Sequence, residues 1–213
     1  MTIHGIEAGP YQTMGYIISD ADGSALIIDV PLQSLEPMLS YIRVHELTVT
    51  AIVLTHGHFD HVGEVRALSE ALHAPVLIHE GDAGMLAQPM AMFAALDIHI
   101  EGMKASRFLQ DDETLNCGSL AFRIIHVPGH TPGHIALYEQ TQAVLFSGDV
   151  LFHGSIGRTD LPGGDYDTLM QSITTRLLTL PDGTIVYPGH GPHTTVEFER
   201  EHNPYILDYF DHF

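Results

Sequence analysis

A single cysteine, Cys117, stands among 213 residues. No intrachain disulfide can form, and a lone thiol suits a reducing compartment. Basic residues are scarce as well: eight Lys and Arg face 27 Asp and Glu, for a formal charge of −19 at pH 7. Such a field repels phosphate backbones and anionic lipid, which argues against nucleic acid or a membrane surface as partner. An anionic substrate stays open, because bound cations reverse the sign locally. No apolar run approaches the roughly 18 residues of a membrane span. The stretch Met1-Thr2-Ile3-His4-Gly5-Ile6-Glu7 has neither the basic nor the apolar region of a signal peptide. The cytoplasm is therefore the expected location, and the acidic surplus is expected to be a solvated surface.

What is present points to a globular chain. Apolar residues make up 45% and charged residues 16%, outside the range of disordered segments. A fold of this size buries roughly 70% of its unfolded surface, so no disulfide or structural metal is needed to make a core. No short-period repeat and no low-complexity linker interrupts the chain, and a single domain over 1–213 is expected. The unusual feature is histidine, with 16 copies. A clustered surplus of that kind points to metal.

Strands are predicted over residues 14–19 and 25–30, joined by the turn Asp20-Ala21-Asp22-Gly23-Ser24. A helix follows over 33–46 with Pro37 in its first turn, then a buried strand over 51–54. Next come a helix over 62–72 and a strand over 75–79. Residues 80–97 read as helical, broken at Pro89, with Met85, Leu86, Met90, Met92 and Phe93 as adaptable core rather than a flexible wall over a site. The second half predicts strands over 120–127, 135–138, 143–146 and 184–187. Its helices span 166–178, with Asp165 as N-cap, and 194–201. Each half has its own sheet, so the expected α/β architecture is two sheets packed together with helices outside.

The apolar strands end in histidine or aspartate. Residues 51–54 run into Thr55-His56-Gly57-His58-Phe59-Asp60-His61. Residues 122–127 run into Pro128-Gly129-His130-Thr131-Pro132-Gly133-His134. Residues 144–146 run into Ser147-Gly148-Asp149, and 185–187 into Pro188-Gly189-His190-Gly191. Strand-end loops that converge on one sheet edge build a site. Neutral imidazole and carboxylate suit zinc, iron or manganese. His56 and His58, two apart, can point the same way in an extended segment. Asp60 and His61 can reach a second ion, and the two oxygens of Asp149 can bridge a pair. Two ions sharing one water give hydroxide at neutral pH.

These strings resemble the metallo-β-lactamase superfamily, whose T-H-x-H-x-D-H motif matches Thr55 to His61, with Gly129-His130, Gly148-Asp149 and Gly189-His190 following in order over nearly the whole chain. Within it the chain is similar to the glyoxalase II (hydroxyacylglutathione hydrolase) branch. That likeness rests on Gly148-Asp149-Val150-Leu151-Phe152, on Gly157-Arg158-Thr159-Asp160, and on Pro188-Gly189-His190-Gly191-Pro192 with Thr194, Thr195, Glu199 and Asn203-Pro204. The resemblance implies an αββα sandwich of two mixed sheets. It implies one ion on His56, His58 and His130, a second on Asp60, His61 and His190, and Asp149 bridging both. Zinc leads, with iron or manganese as alternatives. Asp60 and Asp149 are the expected catalytic carboxylates. A small-molecule thioester of the S-2-hydroxyacylglutathione type is the expected substrate, attacked by a metal-bridging hydroxide, with no serine or cysteine nucleophile required. Full-length glyoxalase II carries a C-terminal helical domain for glutathione; here 23 residues follow His190, and Lys104 is the only lysine, so that domain and its cationic grip are expected to be missing.

Neighbouring residues receive plainer readings. His134 is expected to pack or hydrogen-bond behind the ligands and orient the His130 loop. His153 is placed at the surface or behind the ligands, and Thr55 either orients a ligand or caps its strand. Arg158 and Asp160 are expected to form an internal ion pair bracing their loop. His4, His45, His73, His79, His99, His126, His193, His202 and His212 are read as structural or surface, and Cys117 as a buried small hydrophobe before a turn. The competing function is the persulfide dioxygenase branch of the same fold, with one iron on His58 or His56, His130 and Asp149. β-Lactamase activity is disfavoured because Asp149, not a cysteine, occupies the bridging position. A flavodiiron role is disfavoured because Phe59-Asp60-His61 follows His58 without the glutamate ligand and no flavin domain is attached. A nuclease role is disfavoured by charge and missing insert domains, and a non-catalytic binding module would have lost ligands.

Overall fold

Period-two alternation decides which residues face which layer. A computed structural model describes residues 1–90 and 98–211. The first half carries β1 (Thr2–Ala8), β2 (Thr13–Ser19), β3 (Ser24–Ile28), α1 (Leu35–Val44), β4 (Thr48–Val53), α2 (Val65–Leu72), β5 (Val76–His79), α3 (Ala83–Ala87) and β6 (Arg107–Leu109). Its six strands form one sheet in the order β1-β2-β3-β4-β5-β6. The first three pair antiparallel, and β3 to β6 pair parallel. The second half carries β7 (Thr114–Cys117), β8 (Leu120–His126), β9 (Ile135–Glu139), β10 (Val144–Gly148), β11 (Leu151–Phe152), β12 (Ser155–Ile156), α4 (Tyr166–Ser172), β13 (Ile185–Pro188), β14 (Thr194–Thr195), α5 (Val196–His202) and α6 (Pro204–Asp211). Its main sheet has the order β14-β13-β10-β9-β8-β7, with β10 and β13 parallel. Strands β11 and β12 form a small separate hairpin.

Three apolar clusters follow from the alternation. Between the sheets lie Tyr16, Ile18, Leu26, Ile28 and Val53 from the first, against Phe122, Ile124, Leu137 and Phe146 from the second. The intervening residues Ile17, Ile27, Ile52 and Leu54 point outward and pack under α1 and α2 with Met38, Ile42, Val65 and Leu68. On the far side Ile125, Leu145 and Val186 pack under α4 and α6 with Leu169, Met170 and Ile206. Each fully buried Ile, Leu or Phe of this kind contributes about 1.5–3 kcal/mol. The αββα sandwich expected from the sequence is the architecture observed. Among the described residues no helix is long and apolar enough to cross a membrane.

Several boundaries differ from expectation, each for a local reason. The helix expected from 62 begins at Val65, because the preceding residues turn tightly: the amides of His61 and Val62 both donate to His58 O. The helix expected over 166–178 keeps Asp165 as N-cap, its carboxylate accepting from the Thr168 amide, but widens into a π turn over Ile173–Leu177. The Thr174 and Thr175 hydroxyls donate back to Met170 O and Gln171 O in that stretch, a contact that bends helices. Thr194 and Thr195 join the sheet before α5 starts, the Thr195 hydroxyl capping α5 by accepting from the Phe198 amide. The region expected as helical over 80–97 begins as a 3₁₀ turn (Glu80–Asp82) followed by α3; Met92 and Phe93 lie outside the described residues, as does His212. Strands β1, β6, β7, β11 and β12 and helix α6 had no expectation attached to them.

Candidate metal centre

The ligand-bearing loops leave the strands β4, β8, β10 and β13 at one edge of the sandwich. Backbone contacts tie that edge together across both sheets. The Ile135 amide donates to Thr55 O at 2.8 Å, Val30 N to His61 O at 2.8 Å, and Met14 N to Gly189 O at 2.8 Å. The Tyr16 hydroxyl donates to Pro188 O at 2.6 Å. Residue 189 has to be glycine, since a Cβ there would lie 2.1 Å from Asp149 Oδ1 and 2.7 Å from the His61 ring.

All seven residues singled out as ligands converge. His56, His58 and His130 form one group, Asp60, His61 and His190 another, and Asp149 lies within reach of both. In the first group His58 Nδ1 is 3.1 Å from His56 Nε2 and 2.9 Å from His130 Nε2. In the second, His190 Nε2 is 3.4 Å from Asp60 Oδ2, and His61 Nε2 is 3.7 Å from the same oxygen. Asp149 spans the two: its Oδ2 is 3.7 Å from His130 Nε2 and 3.3 Å from His190 Nε2, while Oδ1 is 3.3 Å from His61 Nε2.

The outer hydrogen bonds fix which imidazole nitrogens look inward. Arg158 O and Tyr11 O can only accept, so His130 and His190 donate to them from Nδ1, at 2.7 and 3.1 Å. The buried carboxylate of Asp29 accepts from the Thr55 hydroxyl at 2.7 Å, and its Oδ2 also faces His61 Nδ1 at 2.9 Å. With its one proton given to Asp29, Thr55 is left to accept from His56 Nδ1 at 3.1 Å. Four Nε2 lone pairs therefore aim into a space shared with two carboxylates. His61 Nε2 and Asp149 Oδ1 are buried there without a hydrogen-bond partner. A buried set with more acceptors than donors, where His58 Nδ1 and the Thr13 hydroxyl can supply one proton each, is costly unless cations or protons fill it. Imidazole with carboxylate is the ligand set of zinc, iron or manganese. The residues fit a pair of divalent ions.

The protonation pattern says the same. Burial, reinforced by repulsion among the neighbouring imidazoles, holds His56 well below its ordinary range and His58 at about 3. For Asp149 and Asp60 burial alone would raise the carboxyl. His61 and His190 override it, leaving Asp149 well below its usual range and Asp60 at about 2. Burial opposes charge on His190 too, yet Asp149 and Asp60 push it up to about 9; His61 is raised for the same reason. Protons on these two rings take the role a cation would fill.

The surrounding readings divide. His134 is fully buried, stacks on His56 at 4.8 Å, and its Nε2 accepts from the Asp149 amide at 3.0 Å. It orients Asp149 rather than the His130 loop. Thr55 does orient a ligand, as above. Arg158 and Asp160 pair at 2.7 and 2.8 Å, but at the surface, with side chains 59% and 67% exposed, not internally. The contribution of residue 158 to the site is its carbonyl. His153 is exposed and stacks on Phe198, and Cys117 is buried at the end of β7. Three contributors were not foreseen. Asp29 and Asp82 are buried carboxylates, and the Thr13 hydroxyl donates to Asp60 Oδ2 at 2.9 Å. Asp82 accepts from Gly57 N, Thr131 Oγ1 and Gly133 N, and burial raises its carboxyl above the usual range.

Comparison with known proteins adds to this geometry. A family model described as the metallo-beta-lactamase superfamily matches residues 8–190. The chain is 39% identical over 211 residues to the hydroxyacylglutathione hydrolase GloC of Haemophilus influenzae, covering 97% of this chain and 98% of that protein. It is 38% identical over 200 residues to "Probable metallo-hydrolase YqgX" of Bacillus subtilis, covering 93% and 94%. Among solved structures, the BLEG-1 B3 metallo-beta-lactamase superposes with a TM-score of 0.90 at 40% identity, covering 96% of this chain and 99% of that one. TTHA1623 in a di-iron-bound form gives 0.85 at 40% identity, covering 95% and 99%. ETHE1 from Myxococcus xanthus gives 0.80 at 27% identity, covering 99% and 90%.

Proposed function

The chain belongs to the metallo-β-lactamase superfamily, and from that premise we propose that it is a metallo-hydrolase acting on thioesters of the S-2-hydroxyacylglutathione type. His56, His58 and His130 would hold one divalent ion, Asp60, His61 and His190 the second, and Asp149 would be shared. When bound, such ions acidify water and polarise a carbonyl, which removes the need for a serine or cysteine nucleophile.

The chain's own residues prepare that chemistry. Asp29 and Thr55 fix the rings of His61 and His56 with their lone pairs inward. His134 holds Asp149 through its backbone amide, which fixes the main chain from which the shared carboxylate projects. Asp60 and Asp149 stay ionised at neutral pH, so both would offer charged oxygens to the ions and to the water they hold. Exposure of Asp60 and His190 at the edge, with side chains 14% and 30% accessible, gives a substrate carbonyl its approach from that side.

What carries the substrate reading is the likeness to GloC, which spans nearly the full length of both proteins. The test is purification without chelator or added metal, metal counting per chain, and an acyl-glutathione panel assayed beside a neutral thioester. Two ions per chain and thioester turnover are expected. Two ions with no thioester hydrolysis would overturn the substrate reading. A second reading, a mononuclear iron persulfide dioxygenase using His58 or His56, His130 and Asp149, is favoured by the ETHE1 likeness. One iron per chain with oxygen consumption on a persulfide would select it. The likeness to BLEG-1 puts a β-lactam in the same panel. The di-iron neighbour makes iron as eligible as zinc.

A further inference from the structure

We infer that Asp82 is a positioning residue for one half of the metal centre, locking the loop of His56 and His58 to the loop of His130. The inference rests on the two-ion reading above. Asp82 stands at the N-cap position of α3, yet its side chain makes no capping hydrogen bond there. Aspartate at such a position ordinarily caps its helix. Here the carboxylate is turned away from the helix and is completely buried. Its Oδ2 accepts from Gly57 N at 3.0 Å, between His56 and His58, and from the Thr131 hydroxyl at 2.6 Å, next to His130. Its Oδ1 accepts from Gly133 N at 2.7 Å. One carboxylate thus joins two loops that are about 75 residues apart in sequence and come from different sheets.

The local backbone is shaped to allow it. A Cβ on Gly133 would lie 2.4 Å from Asp82 N and 2.7 Å from Asp82 Oδ1. A Cβ on Gly81 would lie 2.8 Å from Gly133 Cα. The 3₁₀ turn can therefore enter between the loops only where both sides lack side chains. All three donors point at an acceptor-only carboxylate, and no Arg or Lys among the described residues forms an ion pair with it. An amide in its place would turn its NH₂ either to Gly133 N or to Gly57 N and the Thr131 hydroxyl, so neither flip leaves an acceptor for every backbone N–H. The other half of the centre is held independently: Asp60 by Thr13, His61 by Asp29, and His190 by Tyr11 O. Asp82 touches none of these.

The consequence is selective. Asp82→Asn lowers the affinity of the ion on His56, His58 and His130 about 10–100-fold and leaves the other ion unchanged. The experiment strips the full-length protein of metal and titrates it with cobalt(II) against a chromophoric chelator. The two stepwise affinities and absorption bands are compared with those of His58→Ala and His190→Ala. The expected result is one weakened step whose band is the one lost in His58→Ala. Thr131→Val removes a single donor and should give a smaller loss on the same side, with Thr131→Ser restoring it; this pair carries the test if Asp82→Asn does not fold. Equal loss of both steps, no loss, or loss of the His190 band would overturn the inference. Wild type binding no metal would overturn the two-ion reading and this inference with it. Wild type binding two, with the Asp82 and Thr131 variants unchanged, would overturn the inference alone.

Discussion

The two halves of the metal centre draw on similar residues but meet solvent differently. His56, His58 and His130 are no more than 5% exposed. In the other half His61 is sealed, but the side chain of Asp60 is 14% exposed and that of His190 30%. The sealed half is made by burial, which holds His56 and His58 neutral, with the His130 ring pressed against them. The open half is made by charge, with two carboxylates and two histidines that take up protons when no cation is present. The lesson is that one half resembles core packing with lone pairs, while the other resembles a surface ion-pair network with one face to the substrate. The open half is where exchange, pH and substrate should act first.

The harshest way to break this comparison is to remove the residue common to both halves. Asp149→Ala should lose most bound metal from both and reduce turnover on the order of 10³-fold or more. Activity equal to wild type would rule out a shared two-metal centre. Next, His58→Ala and His190→Ala should separate the halves. Each should keep one ion, and each should lower the unfolding midpoint of the metal-free protein at neutral pH, His58→Ala by leaving a cavity in a buried cluster and His190→Ala by unpairing Asp149 and Asp60. Only the His190→Ala loss should fade as pH rises through 9. Elemental analysis with thermal melts checks both. Third, Asp29→Asn should weaken the open half directly through His61 and the sealed half through Thr55 and His56, lowering metal affinity about 10-fold. It should also destabilise the fold by about 2–3 kcal/mol, since the amide of Thr55, its hydroxyl and the His61 ring all lose a carboxylate acceptor. Denaturant melts would read the second effect.

A gentler probe is pH. In the metal-free protein His190 titrates at about 9, above its unfolded value. Its contribution to stability is complete below about 6.5 and is lost as pH rises through 9. Asp60 runs the other way: its pKa is depressed to about 2, so its contribution is present above about 4 and lost as pH falls through 2. Metal-free protein should thus melt at progressively lower temperature between pH 6.5 and 9. The holo form should show stronger metal retention over the same interval, because imidazole must shed its proton to bind an ion. Parallel trends in the two forms would contradict the charge-built open half. The smallest effect belongs to Arg158→Ala. It breaks an exposed pair but keeps the carbonyl that holds His130, so the midpoint should move by less than about 2 °C with metal content unchanged.

The seven inward-facing residues were legible because each follows an apolar strand, and strand ends in a sandwich share an edge. The supporting carboxylates were less so. Asp29 did leave a signal: it lies inside the apolar run 25–30, and an acid in a buried strand must be paired. Asp82 left none, since its three partners are at least 25 residues away in sequence and the stretch around it reads as an ordinary helix start. The strands missed outright were short or edge-placed. β1 is half-exposed with no apolar run, and β11 and β12 have two residues each. Arg158 was misplaced because an Arg-x-Asp string reads the same whether its side chains are internal or at the surface.

The β2–β3, β7–β8 and β9–β10 turns lie at the strand ends away from the histidines, and there Ser119 N of the β7–β8 turn donates to Asp20 Oδ2 of the β2–β3 turn and fastens the two sheets. No ligand-bearing loop passes through that end. A spacer, dye or carrier protein spliced into the exposed Gln140–Thr141 tip would sit a full strand length away from the reacting edge. The molecule therefore comes with a handle: it can be tethered to a bead or electrode by one end while the working end faces the solution.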